Sequence, residues 1–251
     1  MNIGIDVGST AVKIVFLEKE KILWKKSTPT IPGQGKLVNH LIAEGLNALS
    51  INESDIGNLS VTGYGRKLIS KADNVINEIA ANALGAHLLS SAKAQTIINI
   101  GGQDIKIIKI SKDGKVMDFK MNDKCAAGTG RFFEMAARIL DTPVSEFGDL
   151  SLVSDSPVSI NSTCAVFAES EIVSMLANGE KKENIVKGLH ESVANRISNI
   201  IGSMELDEFI FIDGGPAANS GLADCIKEKL LYDIHILNFP QFTVAYGAAM
   251  S

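Results

Sequence analysis

The sequence has few cysteines and no long apolar run, and these two features limit the class of protein that it can encode. Its 251 residues include three cysteines, an odd number without the spacing of a small disulfide-bonded domain. Disulfides are rare in the reducing cytoplasm, which is where we expect this protein. No apolar run approaches the roughly 20 residues that a membrane span requires. The first six residues also lack the basic start of a signal peptide, so no membrane association is predicted.

Basic residues are also fewer than acidic ones. The 24 lysines and arginines are outnumbered by 29 acidic residues, which gives a formal net charge of −5. Without a basic field, a nucleic-acid partner is not expected. The four histidines are scattered and no Cys-x-x-Cys pair occurs, so the sequence does not predict a zinc site. Hydrophobic residues make up 45% of the chain, which is enough for a large core in one elongated domain or in two lobes.

Two stretches of the chain repeat one layout of three strands separated by two turns. The first copy is predicted at residues 2–6, 11–17 and 21–26, and the second at 96–100, 105–110 and 116–121. Small residues at helical spacing in the tail would let a final helix pack closely. A further strand is predicted at 208–213, and the predicted helices are 36–50, 75–90, 131–141, 165–178, 182–204 and 221–231.

A glycine turn that could hold phosphate follows a predicted strand at three places, residues 6–10, 101–104 and 213–216. Such a turn needs small residues so that backbone N–H groups can approach the anion, and it gains from hydroxyls and from an acid near Mg²⁺. Each turn alone is most often an ordinary hairpin, but three in this order predict a nucleotide site. The candidate nucleotide ligands are Asp6, Gly8, Ser9, Thr10, Lys13, Gly101, Gly102, Gln103, Asp104, Gly214 and Gly215.

Two of the cysteines, Cys125 and Cys164, stand in short polar segments ahead of predicted helices. A single cysteine is commonly a small buried apolar residue, but these settings favour metal ligation. An iron–sulfur cubane usually needs four thiolates, and a symmetric dimer would present the same two cysteines from both sides. The sequence therefore suggests a nucleotide-binding homodimer that shares one cluster. Cys225, on an amphipathic helical pattern, is interpreted as structural.

The residues around these cysteines have possible roles of their own. Gly128, Thr129 and Gly130 open a helix three residues after Cys125, where a phosphate or ribose contact is plausible. A conformational change around ATP would then move Cys125 directly. Before Cys164, the sequence has Ser and Thr at 162 and 163, which are good helix N-cap types.

The three glycine turns within a duplicated unit resemble the fold of actin, Hsp70 and the sugar kinases. This resemblance implies an α/β fold with two lobes around a nucleotide cleft, the first at 1–93 plus about 240–251 and the second at 94–239. It also implies that Asp6 and Asp104 lie around Mg²⁺, through water, and that Gln103 or Asp104 positions the attacking water. Lys13 either neutralises phosphate charge or is an exposed hairpin lysine.

The segment 121–132 around Cys125 resembles the signature of the ATP-dependent activators of 2-hydroxyacyl-CoA dehydratases, which belong with the ATPase subunits of benzoyl-CoA reductase. Further similar segments are 4–10, 62–66, 99–104, 164–171 and 214–215. In such a family, a homodimer holds one [4Fe–4S] cluster through the residues matching Cys125 and Cys164. ATP or ADP with Mg²⁺ is the other cofactor, and ATP binding and hydrolysis drive a single low-potential electron to a partner.

That resemblance implies an iron–sulfur acceptor such as a 2-hydroxyacyl-CoA dehydratase or a double-cubane-cluster protein, with reduced ferredoxin or flavodoxin as the electron donor. Two other functions stay open from the sequence. One is a small-molecule kinase of the same fold with structural cysteines, although no catalytic base for a substrate hydroxyl is recognisable. The other is a nucleotide-dependent scaffold without catalysis.

Overall fold

The computed structural model describes residues 1–122, 128–161 and 164–251. The chain divides into two compact units. The first unit consists of Met1–Gln95, Ile108–Asp118 and Leu237–Ser251, and the second consists of Thr96–Ile107 and Phe119–Ile236. Within the described residues, none of the helices is both long enough and apolar enough to cross a membrane.

A five-stranded sheet in the first unit has the order β3-β2-β1-β4-β5. Strands β1 and β2 form an antiparallel hairpin, and β1 also pairs in parallel with β4, so the sheet is mixed. The hairpin turn between β1 and β2 is the first predicted glycine turn. The bounds are β1 Asn2–Val7, β2 Ala11–Glu18, β3 Lys21–Pro29, β4 Asn58–Thr62 and β5 Asn74–Val75, with helices α1 Gln34–Leu49, α2 Glu78–Leu89 and α8 Thr243–Ala249.

The two faces of β1 pack differently because large apolar side chains alternate with Asn2, Gly4 and Asp6. Ile3, Ile5 and Val7 join a buried cluster that includes apolar residues of α1. On the other face, a Cβ at Gly4 would overlap the carbonyl oxygen of Ala245 in α8. The glycine therefore lets this helix approach the strand backbone closely.

The same close approach occurs between α2 and α8. A Cβ at Gly247 would overlap the carbonyl oxygen of Ala81, and a Cβ at Gly85 would overlap that of Thr243. The prediction that small residues in the tail permit close packing is confirmed.

A second five-stranded sheet has the order β10-β9-β6-β7-β8, and β10, β9 and β6 lie entirely in the second unit. Strands β6 and β9 are parallel, with Asn99 opposite Asp213. Because the carboxyl ends of parallel strands meet at one edge, the turns after β6 and β9 lie next to each other. The bounds are β6 Thr96–Ile100, β7 Ile105–Ile110, β8 Val116–Met121, β9 Ile210–Asp213 and β10 Ile234–Ile236, with helices α3 Gly130–Leu140, α4 Phe147–Leu152, α5 Ala165–Ala177, α6 Lys182–Ile201 and α7 Ser220–Leu230.

The predicted elements differ from the structure in several places. The helix predicted from residue 75 is wrong in its first turn, because Val75 pairs with Val61 in the sheet. That helix begins only at Glu78, after Asn77 accepts hydrogen bonds from two backbone N–H groups. The helix predicted to residue 204 ends at Ile201, before Gly202 with its positive φ of 52°. Strands β4 and β10 and helix α4 were not predicted.

Candidate functional site

The first glycine turn surrounds a nearly buried carboxylate, Asp6. The turn is closed by a hydrogen bond from Gly8 N–H to the Ala11 carbonyl oxygen, 3.1 Å long. The hydroxyl of Thr30 donates to the Gly8 carbonyl oxygen at 2.8 Å, which fixes the turn from β3. Lys13, opposite Asp6 in the hairpin register, places its Nζ 2.9 Å from Asp6 Oδ2. Lys13 is therefore ion-paired and largely covered, with 19% of its side chain exposed.

Among the described residues, neither the other oxygen of the Asp6 carboxylate, Oδ1, nor the hydroxyl of Thr10 has a hydrogen-bond partner, and both are buried. Leaving a buried polar atom unpaired costs about 1–3 kcal/mol. Two such atoms at one turn fit a ligand that brings its own donors or positive charge. Hydrated Mg²⁺ with a phosphate has this chemistry, since Mg²⁺ keeps several waters and takes few carboxylates.

A segment that the sequence did not single out as part of the site, Thr62–Arg66, leaves room for this carboxylate. Gly63 has a φ of 88°, and a Cβ there would lie only 2.5 Å from Asp6 Oδ1. The N–H of Gly65 donates to the Val7 carbonyl oxygen at 2.9 Å, and Arg66 donates to the Gly63 carbonyl oxygen at 2.9 Å. The sequence does contain a signal for this turn, because two glycines flank Tyr64 directly after a strand.

The second glycine turn repeats the geometry of the first. Gly101 N–H donates to the Asp104 carbonyl oxygen at 2.8 Å, again three residues along the chain. Asp104 is 4% exposed, and its Oδ1 lies 2.6 Å from Nζ of the buried Lys106. Lys106 was not predicted as a site residue, although a lysine between two isoleucines of a buried strand is a signal in itself. Gln103 is half-buried in this turn.

The third glycine turn is joined to the end of β6. Asn99 donates from Nδ2 to Asp213 Oδ1 at 2.7 Å, and both side chains are buried. Gly214 has a φ of 94°, and a Cβ there would overlap the carbonyl oxygen of Ile100. A Cβ at Gly215 would meet no atom of the described residues within 4 Å. The structure thus brings the second and third turns together in one unit.

The segment that contains Cys125 is described only at its ends, because residues 123–127 lie outside the described residues. Gly128 has a φ of 85°, and a Cβ there would lie 2.7 Å from Cδ of Arg196 on α6. The Thr129 hydroxyl donates to the Gly102 carbonyl oxygen at 2.9 Å, and Gly130 N–H donates to the Gly101 carbonyl oxygen at 2.9 Å. These predicted nucleotide contacts are therefore bonded to the second glycine turn.

Cys164 has a free thiol, is partly exposed, and is itself the N-cap residue of α5. The positions predicted as caps, 162 and 163, lie outside the described residues. Within the described part of the chain, no group of three or more His, Cys, Asp or Glu side chains could hold a metal ion. Any metal site that uses Cys164 would need further ligands.

The third cysteine, Cys225, is buried in α7 at 2% exposure. Burial raises the pKa of its thiol, while the nearby ammonium of Lys187 acts in the opposite direction. A buried thiol that resists deprotonation is a poor metal ligand and nucleophile.

Comparison with known proteins places these features in context. The chain is 40% identical over 248 residues to the 2-hydroxyisocaproyl-CoA dehydratase activator of Clostridioides difficile, covering 98% of this chain and 92% of the relative. It is 37% identical over 249 residues to the (R)-2-hydroxyglutaryl-CoA dehydratase activating ATPase of Acidaminococcus fermentans, covering 99% and 95%.

Solved structures confirm the fold predicted from the sequence. A structure of the activator of the 2-hydroxyisocaproyl-CoA dehydratase from Clostridium difficile, with bound ADPNP, matches with a TM-score of 0.94 at 39% identity, covering 99% of this chain and 92% of that one. A glucokinase of the ROK family from Streptomyces griseus matches with a TM-score of 0.61 at 14% identity, covering 99% and 97%, and shares the fold alone. The family model matches residues 3–251, and the chain belongs to the BadF/BadG/BcrA/BcrD ATPase family.

Proposed function

We propose that this protein is a homodimeric iron–sulfur ATPase that couples ATP binding and hydrolysis to the transfer of one low-potential electron to a partner iron–sulfur enzyme. The observation that carries this proposal is the similarity to two dehydratase activators over nearly the whole length of the chain. The structure of one such activator with bound ADPNP supports a nucleotide as the ligand of the glycine turns.

In this proposal, the three turns bind the nucleotide and Asp6 and Asp104 hold Mg²⁺ through water. The unpaired Oδ1 of Asp6 and the unpaired hydroxyl of Thr10 support this role for the first turn. Lys13 neutralises phosphate charge. The nucleotide-binding residues are Asp6, Gly8, Ser9, Thr10, Lys13, Gly101, Gly102, Gln103, Asp104, Gly128, Thr129, Gly130, Gly214 and Gly215.

The hydrolytic step needs placement and charge neutralisation more than covalent chemistry by the protein. The amide of Gln103 orients the attacking water beside Asp104. Lys106, whose Nζ lies 2.6 Å from Asp104 Oδ1, fixes the direction of the carboxylate. The ordered carboxylate can then accept a hydrogen bond from the water.

Cys125 and Cys164 of each protomer would supply the four thiolates of one [4Fe–4S] cluster at the two-fold axis. When bound, this cluster supplies one-electron chemistry. The partly exposed thiol at the start of α5 supports the proposal, because a ligand shared between protomers must be reachable from the surface. A helix N-terminus stabilises a negative charge by about 0.3–1 kcal/mol, which corresponds to only about 10–40 mV for one electron. The binding and hydrolysis of ATP must therefore provide the driving force.

The electron acceptor is a 2-hydroxyacyl-CoA dehydratase or a double-cubane-cluster protein, and the donor is a reduced ferredoxin or flavodoxin. The printed names of the relatives support an acceptor of the dehydratase class.

Iron analysis of anaerobically purified protein tests this proposal. We expect about four iron atoms per dimer, a brown colour, and hydrolysis of MgATP. Cys164→Ala and Cys125→Ala should each abolish iron binding, whereas the matched variant Cys225→Ala should keep the iron. A colourless wild-type protein, or a protein that keeps its iron in both cluster variants, would contradict the proposal. Stoichiometric phosphorylation of an added hydroxyl compound would instead establish a kinase.

A further inference from the structure

Thr62, the last residue of β4, carries a hydroxyl that the fold does not use. Its side chain is fully buried, and Oγ1 has no hydrogen-bond partner among the described residues. A buried polar atom without a partner is destabilising. Valine has nearly the shape of threonine and would avoid this cost. The hydroxyl itself, and not the shape of the side chain, therefore needs an explanation.

Strand pairing places Thr62 beside Asp6. The two residues are partners in the parallel register of β1 with β4, so their side chains lie on the same face of the sheet. Asp6 Oδ2 is bonded to Lys13, whereas Oδ1 is buried and has no partner in the described part of the chain. Because neither oxygen has a partner, the two are not bonded to each other. Paired strands are about 4.8 Å apart, a separation that one bridging water molecule can span.

The residue after Thr62 keeps side-chain atoms away from this carboxylate oxygen. Gly63 has a φ of 88°, and a Cβ there would lie 2.5 Å from Asp6 Oδ1. The Arg66 side chain donates to the Gly63 carbonyl oxygen at 2.9 Å, which holds the turn in this conformation. Asp6 Oδ1 and Thr62 Oγ1 are thus two neighbouring acceptors that no described protein donor satisfies.

From this arrangement we propose that Thr62 is a positioning residue for nucleotide-bound Mg²⁺, and that its hydroxyl and Asp6 Oδ1 accept the two hydrogens of one metal-bound water. The inference rests on the proposed function, because it assumes that the first turn binds a magnesium nucleotide. Mg²⁺ usually keeps several of its waters in a protein site. Such a water turns its oxygen toward the metal, so both hydrogens point outward and two adjacent acceptors satisfy them.

The strengthening of nucleotide binding by Mg²⁺ tests this inference. The dissociation constant of ADPNP is measured by calorimetry in EDTA and in excess Mg²⁺, with anaerobically purified protein. The ratio of the two constants reports the contribution of the metal. In Thr62→Val we expect this ratio to fall by about three- to tenfold, the effect of one lost hydrogen bond. The dissociation constant in EDTA should not change.

Two further variants separate positioning from a structural role. Thr62→Ser keeps the hydroxyl and should restore the wild-type ratio. Thr243→Val is the matched control, because Thr243 is also fully buried in the first unit but donates to the Pro240 carbonyl oxygen at 3.2 Å. This control should keep the ratio and melt at a lower temperature. Thr62→Val, which loses an unpaired hydroxyl, should melt no lower than the wild type in the absence of nucleotide.

An unchanged ratio in Thr62→Val would overturn the inference, and so would an equal loss in Thr62→Val and Thr62→Ser. In a crystal structure with Mg-ADPNP, one ordered water should lie within hydrogen-bonding distance of Thr62 Oγ1 and Asp6 Oδ1, and a direct bond between these oxygens would contradict the proposal. A wild type that binds ADPNP equally with and without Mg²⁺ would refute the magnesium site of the proposed function itself. Iron-free protein in which Thr62→Val still lowers the ratio would refute the proposed electron transfer and leave the role of Thr62 standing.

Discussion

Lowering the pH from 7 to 5 should destabilise the protein through one buried histidine, His190 of α6. Its ring is fully buried and lies 5.6 Å from the Phe133 ring, centroid to centroid. Its Nε2 is 3.0 Å from Nδ2 of Asn219, whose Oδ1 already accepts from Leu222 N–H. The amide nitrogen must donate to Nε2, so the single ring proton is on Nδ1. Nδ1 has no partner in the described part of the chain.

Burial, with the charge of Lys187 as a smaller cause, lowers the pKa of His190 from 6.5 to about 3. The unfolded chain therefore binds a proton near pH 6.5, whereas the folded chain does not bind it until about pH 3. Between these values the unfolded state carries more protons, so the free energy of unfolding falls as the pH falls. At pH 5 the loss that arises from this one group is about 2 kcal/mol relative to pH 7.

Urea denaturation at pH 7 and pH 5 measures this loss in the wild type and in His190→Gln, which removes the titrating ring but keeps an acceptor for Asn219. We expect the loss of stability between the two pH values to be about 2 kcal/mol smaller in the variant. His40→Gln, at an exposed position of α1, is the matched control and should behave like the wild type. Equal losses in the wild type and His190→Gln, or an NMR titration of His190 near pH 6.5, would refute the reasoning.

Two further predictions concern glycines. Gly247→Ala should lower the free energy of unfolding by about 3 kcal/mol or more, because the added methyl overlaps the backbone of α2; a melting temperature within a degree or two of the wild type would contradict this. Gly214→Ala should weaken ADP binding measured by calorimetry and lower stability, because its φ of 94° and the Ile100 carbonyl oxygen both exclude a Cβ. Gly215→Ala should keep the wild-type stability, because the added carbon has no described atom within 4 Å. If Gly214→Ala and Gly215→Ala changed stability equally, the turn would be able to adjust its backbone to a Cβ at either position.

The sequence predicted the repeated strand–turn–strand units well because they depend on local chemistry. Runs of β-branched residues alternate with glycine turns in both copies, and all six predicted strands exist within three residues of their bounds. Strand β4 was missed for a physical reason. Its polar and apolar residues alternate over only five positions, which is a weak strand signal, and the polar residues Ser60 and Thr62 are fully buried rather than facing solvent.

In the candidate site, the sequence indicated the residues that share a turn but not those that reach it from elsewhere. Asp6 and Asp104 each stand two residues from a glycine of their own turn, so chain order alone reveals them. Thr30 fixes the first turn from 22 residues away, which requires the pairing of β3 with β2. Lys106 is only two residues from Asp104 and was missed although its position between two isoleucines indicates burial; that the two buried side chains form an ion pair is seen only in the fold.

The two lysines beside the proposed magnesium carboxylates should behave differently, although each forms an ion pair with its aspartate. Lys106 is 5% exposed and its partner 6%, so most of the pair is covered by protein. Removing one member of a buried ion pair costs about 3–5 kcal/mol, because the other charge then loses this interaction away from water. Lys106→Met should therefore lower the free energy of unfolding by about that amount, and adding Asp104→Asn should recover part of it.

Lys13 is 19% exposed, and its partner Asp6 has a second oxygen that the lysine does not satisfy. In the proposed function, the Lys13 ammonium would turn from the Asp6 carboxylate to a nucleotide phosphate. Lys13→Met should consequently change stability much less than Lys106→Met but weaken the binding of MgATP. Urea denaturation and calorimetric titration with Mg-ADPNP measure the two effects. If Lys13→Met destabilised the protein as much as Lys106→Met and left nucleotide affinity intact, Lys13 would be a structural partner of Asp6 and not a phosphate ligand.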